Sequence, residues 1–108
     1  MLLFQGVPTA AFASELAYAI PAGQRLQLDS LIVCNQAGAA TYRLRIAKRG
    51  EELPAPAVAK QYLQFGTAIL ANDTQYLTGF TPTAGDVIYM SANVNTFSFS
   101  IWGSLIPL

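Results

Sequence analysis

The chain has 108 residues and a formal net charge of zero, with 53% apolar and only 11% charged residues. This length indicates one domain over 1–108, and the apolar content excludes an intrinsically disordered chain. A zero net charge gives no overall electrostatic field that would attract nucleic acid or an anionic membrane surface. Since so many apolar residues need to be buried, we expect the isolated protein to form oligomers.

The N-terminal sequence, MLLFQGVPTAAFASE, begins with a short apolar run. A secretory signal peptide has a Lys or Arg before its apolar run, and none precedes this one, so we do not expect a signal peptide here. The lone Cys34 excludes an intrachain disulfide, which fits assembly in a reducing cytoplasm. Residues 1–13 are predicted to form an N-terminal arm. The uncharged C-terminal stretch is interrupted by Ser and Asn residues, so it predicts strands and not a membrane span.

Short alternating segments separated by Gly, Pro, Asn and Asp predict an all-β domain. The predicted strands are 14–20, 25–35, 40–48, 59–65, 67–71, 74–80, 86–93 and 96–106. A short helix within 54–63 is the less favoured alternative for that segment. About eight short strands in one domain predict an antiparallel β-sandwich or jelly roll.

Alternation along two segments predicts which side chains face the core. In TYRLRI, Tyr42, Leu44 and Ile46 share one face and Arg43 and Arg45 share the other. Arg45 on an outer face is expected to contribute little to the stability of a dissociated subunit. In TFSFSIW, the core side chains are Phe97, Phe99 and Ile101, and the outer ones are Ser98, Ser100 and Trp102.

The segment LQLDSLIVCN is ambiguous, because its alternation ends in an unbroken apolar run. Continuing the phase of Leu26 and Leu28 assigns Ile32 and Cys34 to the core. Leu31 and Val33 then point outward and form, with Trp102, an apolar patch typical of an interaction surface. Alternatively, a loop of the same chain covers these residues.

No residue pattern indicates catalysis, a metal site or a cofactor site. The chain has no histidine, and no Gly-rich segment matches a phosphate-binding or dinucleotide-binding loop. The pair Glu51-Glu52 is interpreted as a solvated loop tip. Asn72, Asp73 and Asp86 are interpreted as turn caps in preference to a calcium site, and Cys34 as a core residue. We predict a protein that is not an enzyme and needs no cofactor.

A cluster of cations, Arg43, Arg45, Lys48 and Arg49, raises the possibility of nucleic-acid binding. The zero net charge argues against it, because no wider basic surface supports the cluster. Arg43 and Arg45 are expected to pair with carboxylates of a neighbouring subunit or strand.

The segments LAYAIPAGQRLQLDSLIVCNQAGAATYRLRIA, AILANDTQYL, TAGDVIYMSA and FSFSIWGSLI occur in an order and spacing similar to a family of small virion structural proteins of tailed bacteriophages. The resemblance covers roughly residues 5–106. Leu105 stands where an acidic residue is common in the family. The resemblance implies a β-sandwich structural protein of the virion, assembled in the host cytoplasm, without a cofactor.

Together these features predict a homo-oligomer, with a homotrimer favoured, that binds other virion proteins in one of two settings: capsid cement or decoration, or tail, baseplate or fibre attachment. Neither nucleic acid nor membrane is an expected partner. The predicted interface residues are Met1, Leu2, Leu3, Phe4, Leu31, Val33, Arg43, Arg45 and Trp102. The alternative is a carbohydrate-binding jelly roll, in which Trp102 and a surface tyrosine such as Tyr89 stack on sugar rings beside Ser98 and Ser100.

Overall fold

The computed structural model describes residues 1–10, 12, 14–49 and 61–108. Within these ranges the chain forms eight strands. They are β1 (Leu2–Gly6), β2 (Leu16–Ala19), β3 (Gln24–Asn35), β4 (Ala40–Ala47), β5 (Tyr62–Ile69), β6 (Thr74–Leu77), β7 (Val87–Ala92) and β8 (Phe97–Pro107). Over the same ranges, no helix has the length and apolar content needed to cross a membrane.

Two four-stranded antiparallel sheets face each other. One has the order β1-β8-β3-β6 and is called the β3 sheet here; the other has the order β2-β7-β4-β5 and is called the β4 sheet. Among the described strands, β4 and β5 are the only consecutive pair that share a sheet. Each of the remaining connections between described strands takes the chain from one sheet to the other, as in a jelly roll. The predicted all-β sandwich of eight strands is confirmed.

Two strand predictions differ from the structure. The segments 59–65 and 67–71 were expected as separate strands, but β5 runs from Tyr62 to Ile69 through Gly66, whose φ of 68° lies in the left-handed region. Glycine adopts this φ without steric cost, which lets the strand continue through a bulge. The N-terminal residues form a strand, β1, that alternation did not predict. Most of the helix considered within 54–63 lies outside the described residues.

The core lies between the two sheets and consists of side chains from both. Leu44, Phe97, Phe99 and Ile101 are fully buried, as predicted, and Ile46 is half-buried against them. The Tyr42 ring packs edge-on against Phe97 and Phe99, with centroid distances of 6.0 Å to each. Edge-to-face aromatic packing adds to the stabilisation from burial alone.

Leu31 and Val33 belong to this core, so the prediction that they point outward is wrong. Both are fully buried. The pairing of β3 with β8 shifts between Leu28 and Ser30, which leaves Asp29 as an extra residue. A β-bulge of this kind reverses the phase of alternation beyond it. Leu26 and Leu28 therefore face inward before the bulge, and Leu31 and Val33 face inward after it.

Gly103 allows the two strands to approach closely beside this bulge. It lies opposite Leu28, and a Cβ at this position would collide with the backbone carbonyl of Gln27. The alternation of β8 continues past Gly103 without interruption, with Phe97, Phe99 and Ile101 inward before it and Leu105 packed against the core after it. The bulge therefore changes the facing of β3 and not of β8.

At one end of the sandwich, the buried Asn35 side chain joins several loops. Its amide nitrogen donates to the carbonyl of Gly38 at 2.9 Å and to those of Ile69 and Leu70 at 3.3 Å each. Its amide oxygen accepts a hydrogen bond from the Thr96 hydroxyl at 3.3 Å. Since a buried amide must have its hydrogen bonds satisfied, Asn35 holds these loops in one arrangement.

At the opposite end, the buried Asp86 carboxylate has the equivalent role. It accepts hydrogen bonds from the backbone N–H of Thr83 at 3.0 Å and of Arg49 at 3.1 Å, and it lies 3.5 Å from the Lys48 ammonium. The Asp73 carboxylate caps its own turn through the N–H of Thr74 at 2.8 Å. The interpretation of Asp86 and Asp73 as turn caps is confirmed.

The stability of the protein is expected to fall in alkaline solution because of Tyr42. Its hydroxyl donates to Gln75 Oε1 at 2.8 Å, and burial raises the pKa of Tyr42 from 10.0 to about 12. Between these values the unfolded chain releases the phenolic proton while the folded chain retains it. The free energy of unfolding should therefore be unaffected by this group below pH 10 and fall by about 2–3 kcal/mol as the pH approaches 12.

Urea unfolding below pH 10 and near pH 12, with Tyr42→Phe as the control, measures this contribution. The control retains the ring in the core and lacks the titrating group, while burial also raises the pKa of Tyr18 in both proteins. The alkaline loss of stability should be smaller in Tyr42→Phe than in the wild type. An equal loss in both proteins would assign the effect to other groups.

Candidate interaction surfaces

The described residues present no cluster of metal-ligating side chains. Across 1–10, 12, 14–49 and 61–108, no three Cys, Asp or Glu residues gather as a metal ion would require. The prediction that Cys34 lies in the core is wrong, because the bulge at Asp29 turns it outward, where it is half-buried opposite Ser98. The candidate functional features of the described residues are exposed surfaces.

The outer face of the β3 sheet carries an uncharged patch, called here the serine–tryptophan face. Residues directly opposite each other on neighbouring strands share a face: Trp102 pairs with Leu2 and Ser30, and Ile32 pairs with Ser100 and Tyr76. The face consists of Leu2, Gln5, Ser30, Ile32, Cys34, Thr74, Tyr76, Ser98, Ser100 and Trp102.

Large apolar groups on this face are open to solvent. The exposed fractions are 38% for Trp102, 39% for Leu2 and 70% for Tyr76. The Trp102 indole N–H donates to Ser100 Oγ at 3.0 Å, which holds the ring over the sheet. The structure thus places Trp102 on an exposed apolar face, as predicted, but its neighbours there are Leu2, Ile32 and Tyr76 in place of Leu31 and Val33.

The predicted arm residues divide between the surface and the core. Strand β1 pairs with β8 of its own chain, and the Phe4 ring contacts that of Tyr18 at a centroid distance of 5.8 Å. Leu3 is half-buried against the core. Of the four arm residues predicted at an interface, Met1–Phe4, only Met1 and Leu2 are exposed, with exposed fractions of 80% and 39%, so these two remain open to another chain.

Arg45 pairs with a carboxylate, as predicted, but the carboxylate is Glu15 of its own chain, and the burial of Arg45 contradicts the prediction of a solvated outer position. It is 1% exposed and donates to both Glu15 oxygens, from Nε at 2.8 Å and from Nη2 at 2.7 Å. A further hydrogen bond runs from Nη1 to Gln61 Oε1 at 2.7 Å, and the guanidinium carbon lies 3.9 Å from the Tyr89 ring centroid. The hydrogen bonds to Glu15 raise the pKa of Arg45, against a lowering effect of burial.

Arg43 lies two residues away on the same outer face but has a different environment. Its guanidinium carbon lies 3.9 Å from the Phe12 ring centroid and 4.1 Å from that of Phe65, so the cation is held between two rings. Its Nε is buried without a hydrogen-bond partner. Over the part of the chain that the structure describes, no carboxylate forms an ion pair with Arg43.

The predicted role of Tyr89 in sugar binding is wrong, because Tyr89 is 4% exposed and stacks against Arg45. Ser98 and Ser100 do lie beside Trp102, as that alternative requires. Tyr76 is the exposed aromatic residue that the sequence reasoning missed on this face. Its position follows from the pairing of β6 with β3, which local alternation does not reveal.

A shallow apolar cleft lies along the side of the sandwich where β5 and the segment after β6 meet. Its volume is about 210 Å³, and Leu63, Leu77 and Phe80 contribute to its lining. An adjoining cavity of about 220 Å³ shares Leu63 and Phe80. Both are small compared with drug-sized ligand sites of about 300–1,000 Å³.

The edge strands are poorly suited to pairing with another chain. Strand β5 has two register shifts against β4, β1 has one against β8, and β2 and β6 have 4 residues each. Bulged or very short edges resist the addition of a further strand. Contacts with other molecules are therefore expected through the faces of the sandwich.

Comparison with known proteins gave no relative for this chain: no protein-family model, curated protein or solved structure matches it significantly.

Proposed function

We propose that the protein is a non-enzymatic structural component of a bacteriophage virion, a jelly-roll subunit that self-associates and binds other virion proteins. The sequence resemblance supplies the virion setting. The observation that carries the proposal is the serine–tryptophan face, where Trp102, Leu2 and Tyr76 are exposed on an uncharged patch of the sheet. Large exposed apolar patches typically mark interaction surfaces, and Trp and Tyr are enriched among the residues that dominate binding energy.

The low charge of the chain fits this function. An assembly subunit spends its working life against neighbours, so its exposed surface needs few solubilising groups. Capsid cement or decoration, and tail, baseplate or fibre attachment, all satisfy this description. Labelling the protein on intact particles by electron microscopy distinguishes head from tail.

The proposal predicts that the purified protein sediments at micromolar concentration as a species larger than the 11.6 kDa chain. Trp102→Ser should remain folded, because the side chain is partly exposed and lies outside the core cluster, yet lose self-association or binding to particles. The matched control is Leu70→Ser, which removes an exposed apolar side chain from a loop at the end of the sandwich. Circular dichroism checks that all variants fold.

Two results would contradict the proposal. If the wild type remains a monomer and does not bind particles, the function is wrong. If folded Trp102→Ser associates as well as the wild type and the Leu70→Ser control, the serine–tryptophan face is not the interface.

A carbohydrate-binding module is the second candidate, because the exposed Trp102 ring lies beside the hydroxyls of Ser98 and Ser100. Under this function, glycan-array binding should be present in the wild type and lost in Trp102→Ser. The absence of glycan binding, together with retained binding to particles, would favour the structural role.

A further inference from the structure

Most of the acidic groups that the structure describes are satisfied within the chain. Glu15 forms an ion pair with Arg45 and Asp86 forms one with Lys48. The Asp73 carboxylate accepts a hydrogen bond from the backbone N–H of Thr74. Asp29 is the exception: it is exposed and has neither a hydrogen bond nor an ion pair with any described residue. It is therefore free to pair with another molecule.

Asp29 stands on the side of the sandwich that carries the serine–tryptophan face. The bulge in β3 places it next to Ser30, which is directly opposite Trp102. A carboxylate at this position borders an apolar patch that excludes water when it is covered. Such a charge increases specificity, because it must find a cation on the partner.

Arg43 is the cation best prepared to receive a carboxylate. The rings of Phe12 and Phe65 hold its guanidinium between them and already exclude water from both faces. A planar guanidinium held in one orientation can form two parallel hydrogen bonds to a carboxylate through its two terminal nitrogens. Phe65, which is 62% exposed, supplies apolar surface beside it.

Asp29 belongs to the β3 sheet and Arg43 to the β4 sheet, and the burial patterns of the two strands place both residues on outer faces. They therefore face opposite sides of one subunit and can pair only between subunits. A contact between two different surfaces of the same chain is head-to-tail, and it closes into a ring or continues as a filament.

We propose that copies of the chain associate head to tail, with Asp29 of one subunit bound to the aromatic-held Arg43 of the next. This inference rests on the proposed self-association and identifies the two surfaces that form it. In the contact, the serine–tryptophan face with Trp102 covers Phe65 and Arg43 of the next copy.

The competing arrangement joins two copies of the serine–tryptophan face around a two-fold axis. Arg25 is an exposed cation on the same strand as Asp29, and in the two-fold arrangement Arg25 of one copy would pair with Asp29 of the other. A solvated ion pair of that kind contributes little, whereas Arg43 has already lost much of its water. Substitution of Arg25 distinguishes the two arrangements.

Charge exchange tests the pairing by sedimentation equilibrium on the full chain. Asp29→Arg, at an exposed position, should weaken self-association by about tenfold or more, which corresponds to about 1.4 kcal/mol for each factor of ten. Arg43→Glu should have a similar effect, and the double variant Asp29→Arg/Arg43→Glu should restore most of the affinity. Arg25→Glu, the matched control, should neither weaken association nor rescue Asp29→Arg.

Arg43→Glu could fail to fold, since it places a carboxylate between two rings. Arg43→Gln then replaces it in a double-mutant cycle: once Asp29 is changed, the loss of Arg43 should have little further effect on affinity. Additive losses in this cycle would overturn the pairing.

Other outcomes separate this inference from the proposed function. If the wild type and Asp29→Arg self-associate equally well, the head-to-tail pairing is wrong and the proposed structural function still holds. Rescue of Asp29→Arg by Arg25→Glu overturns it in favour of the two-fold contact. A wild type that remains a monomer and does not bind particles contradicts both.

Discussion

Replacing Arg45 with alanine should lower the free energy of unfolding by about 3–5 kcal/mol, the range measured when one partner of a buried ion pair is removed. The guanidinium is buried and donates to Glu15 and Gln61 at 2.7–2.8 Å. The substitution leaves both acceptors without their donor, and it removes the cation from the Tyr89 ring. This expectation reverses the one drawn from alternation alone, which placed Arg45 on a solvated surface.

Denaturant unfolding of a dissociated subunit measures this effect, with Arg25→Ala as the control because Arg25 is an exposed arginine. The control should change stability by less than about 0.5 kcal/mol. Glu15→Gln should also destabilise the fold, because it leaves the Arg45 charge without a counter-ion. The double variant Arg45→Met/Glu15→Leu should recover much of the loss, since an apolar pair needs no charge compensation. Equal stability of Arg45→Ala and Arg25→Ala would contradict the structural role of Arg45.

Phe99→Ala should cost about 3–5 kcal/mol, as is typical when a large aromatic side chain is removed from a core. Phe99 is fully buried and contacts the rings of Tyr42 and Phe97, with centroid distances of 6.0 and 6.4 Å. Because a small domain has a total stability of only about 5–15 kcal/mol, such a loss threatens folding at physiological temperature.

The matched control is Phe65→Ala, which removes the same side chain from a largely exposed position on β5. Its contacts with Arg43 and Tyr62 are worth about 1 kcal/mol each at such a site, so the loss should be clearly smaller than for Phe99→Ala. Thermal unfolding followed by circular dichroism compares the two variants. Similar melting temperatures would mean that the assignment of the two faces is wrong.

The sequence by itself determined the class of the fold and the facing of β4 and β8. Where apolar and polar residues alternate without interruption, as from Phe97 to Ile101, the pleat of a strand assigns each side chain to a face, and the structure agrees. Turn residues such as Asp73 and Asp86 were recognisable for a similar reason: their side chains bond to backbone close by in the sequence.

For the candidate interface, the sequence identified Trp102 as outward-facing but assigned Leu31 and Val33 to the wrong face. The consecutive polar pair Asp29-Ser30 inside an apolar strand was the available signal, because two adjacent polar residues break a two-residue period. Whether such a break is a bulge or the end of a strand depends on the pairing with β8, and that pairing joins residues about seventy positions apart.

Only the tertiary structure decided the environment of Arg45, the partner of β1 and the membership of the serine–tryptophan face. Glu15, Gln61 and Tyr89 come from three separate segments to surround Arg45. Likewise, Leu2, Ile32, Tyr76 and Trp102 share a surface because β1, β3, β6 and β8 are neighbours in one sheet. Local periodicity reports which side of its own strand a residue faces, whereas the strand order determines what covers that side.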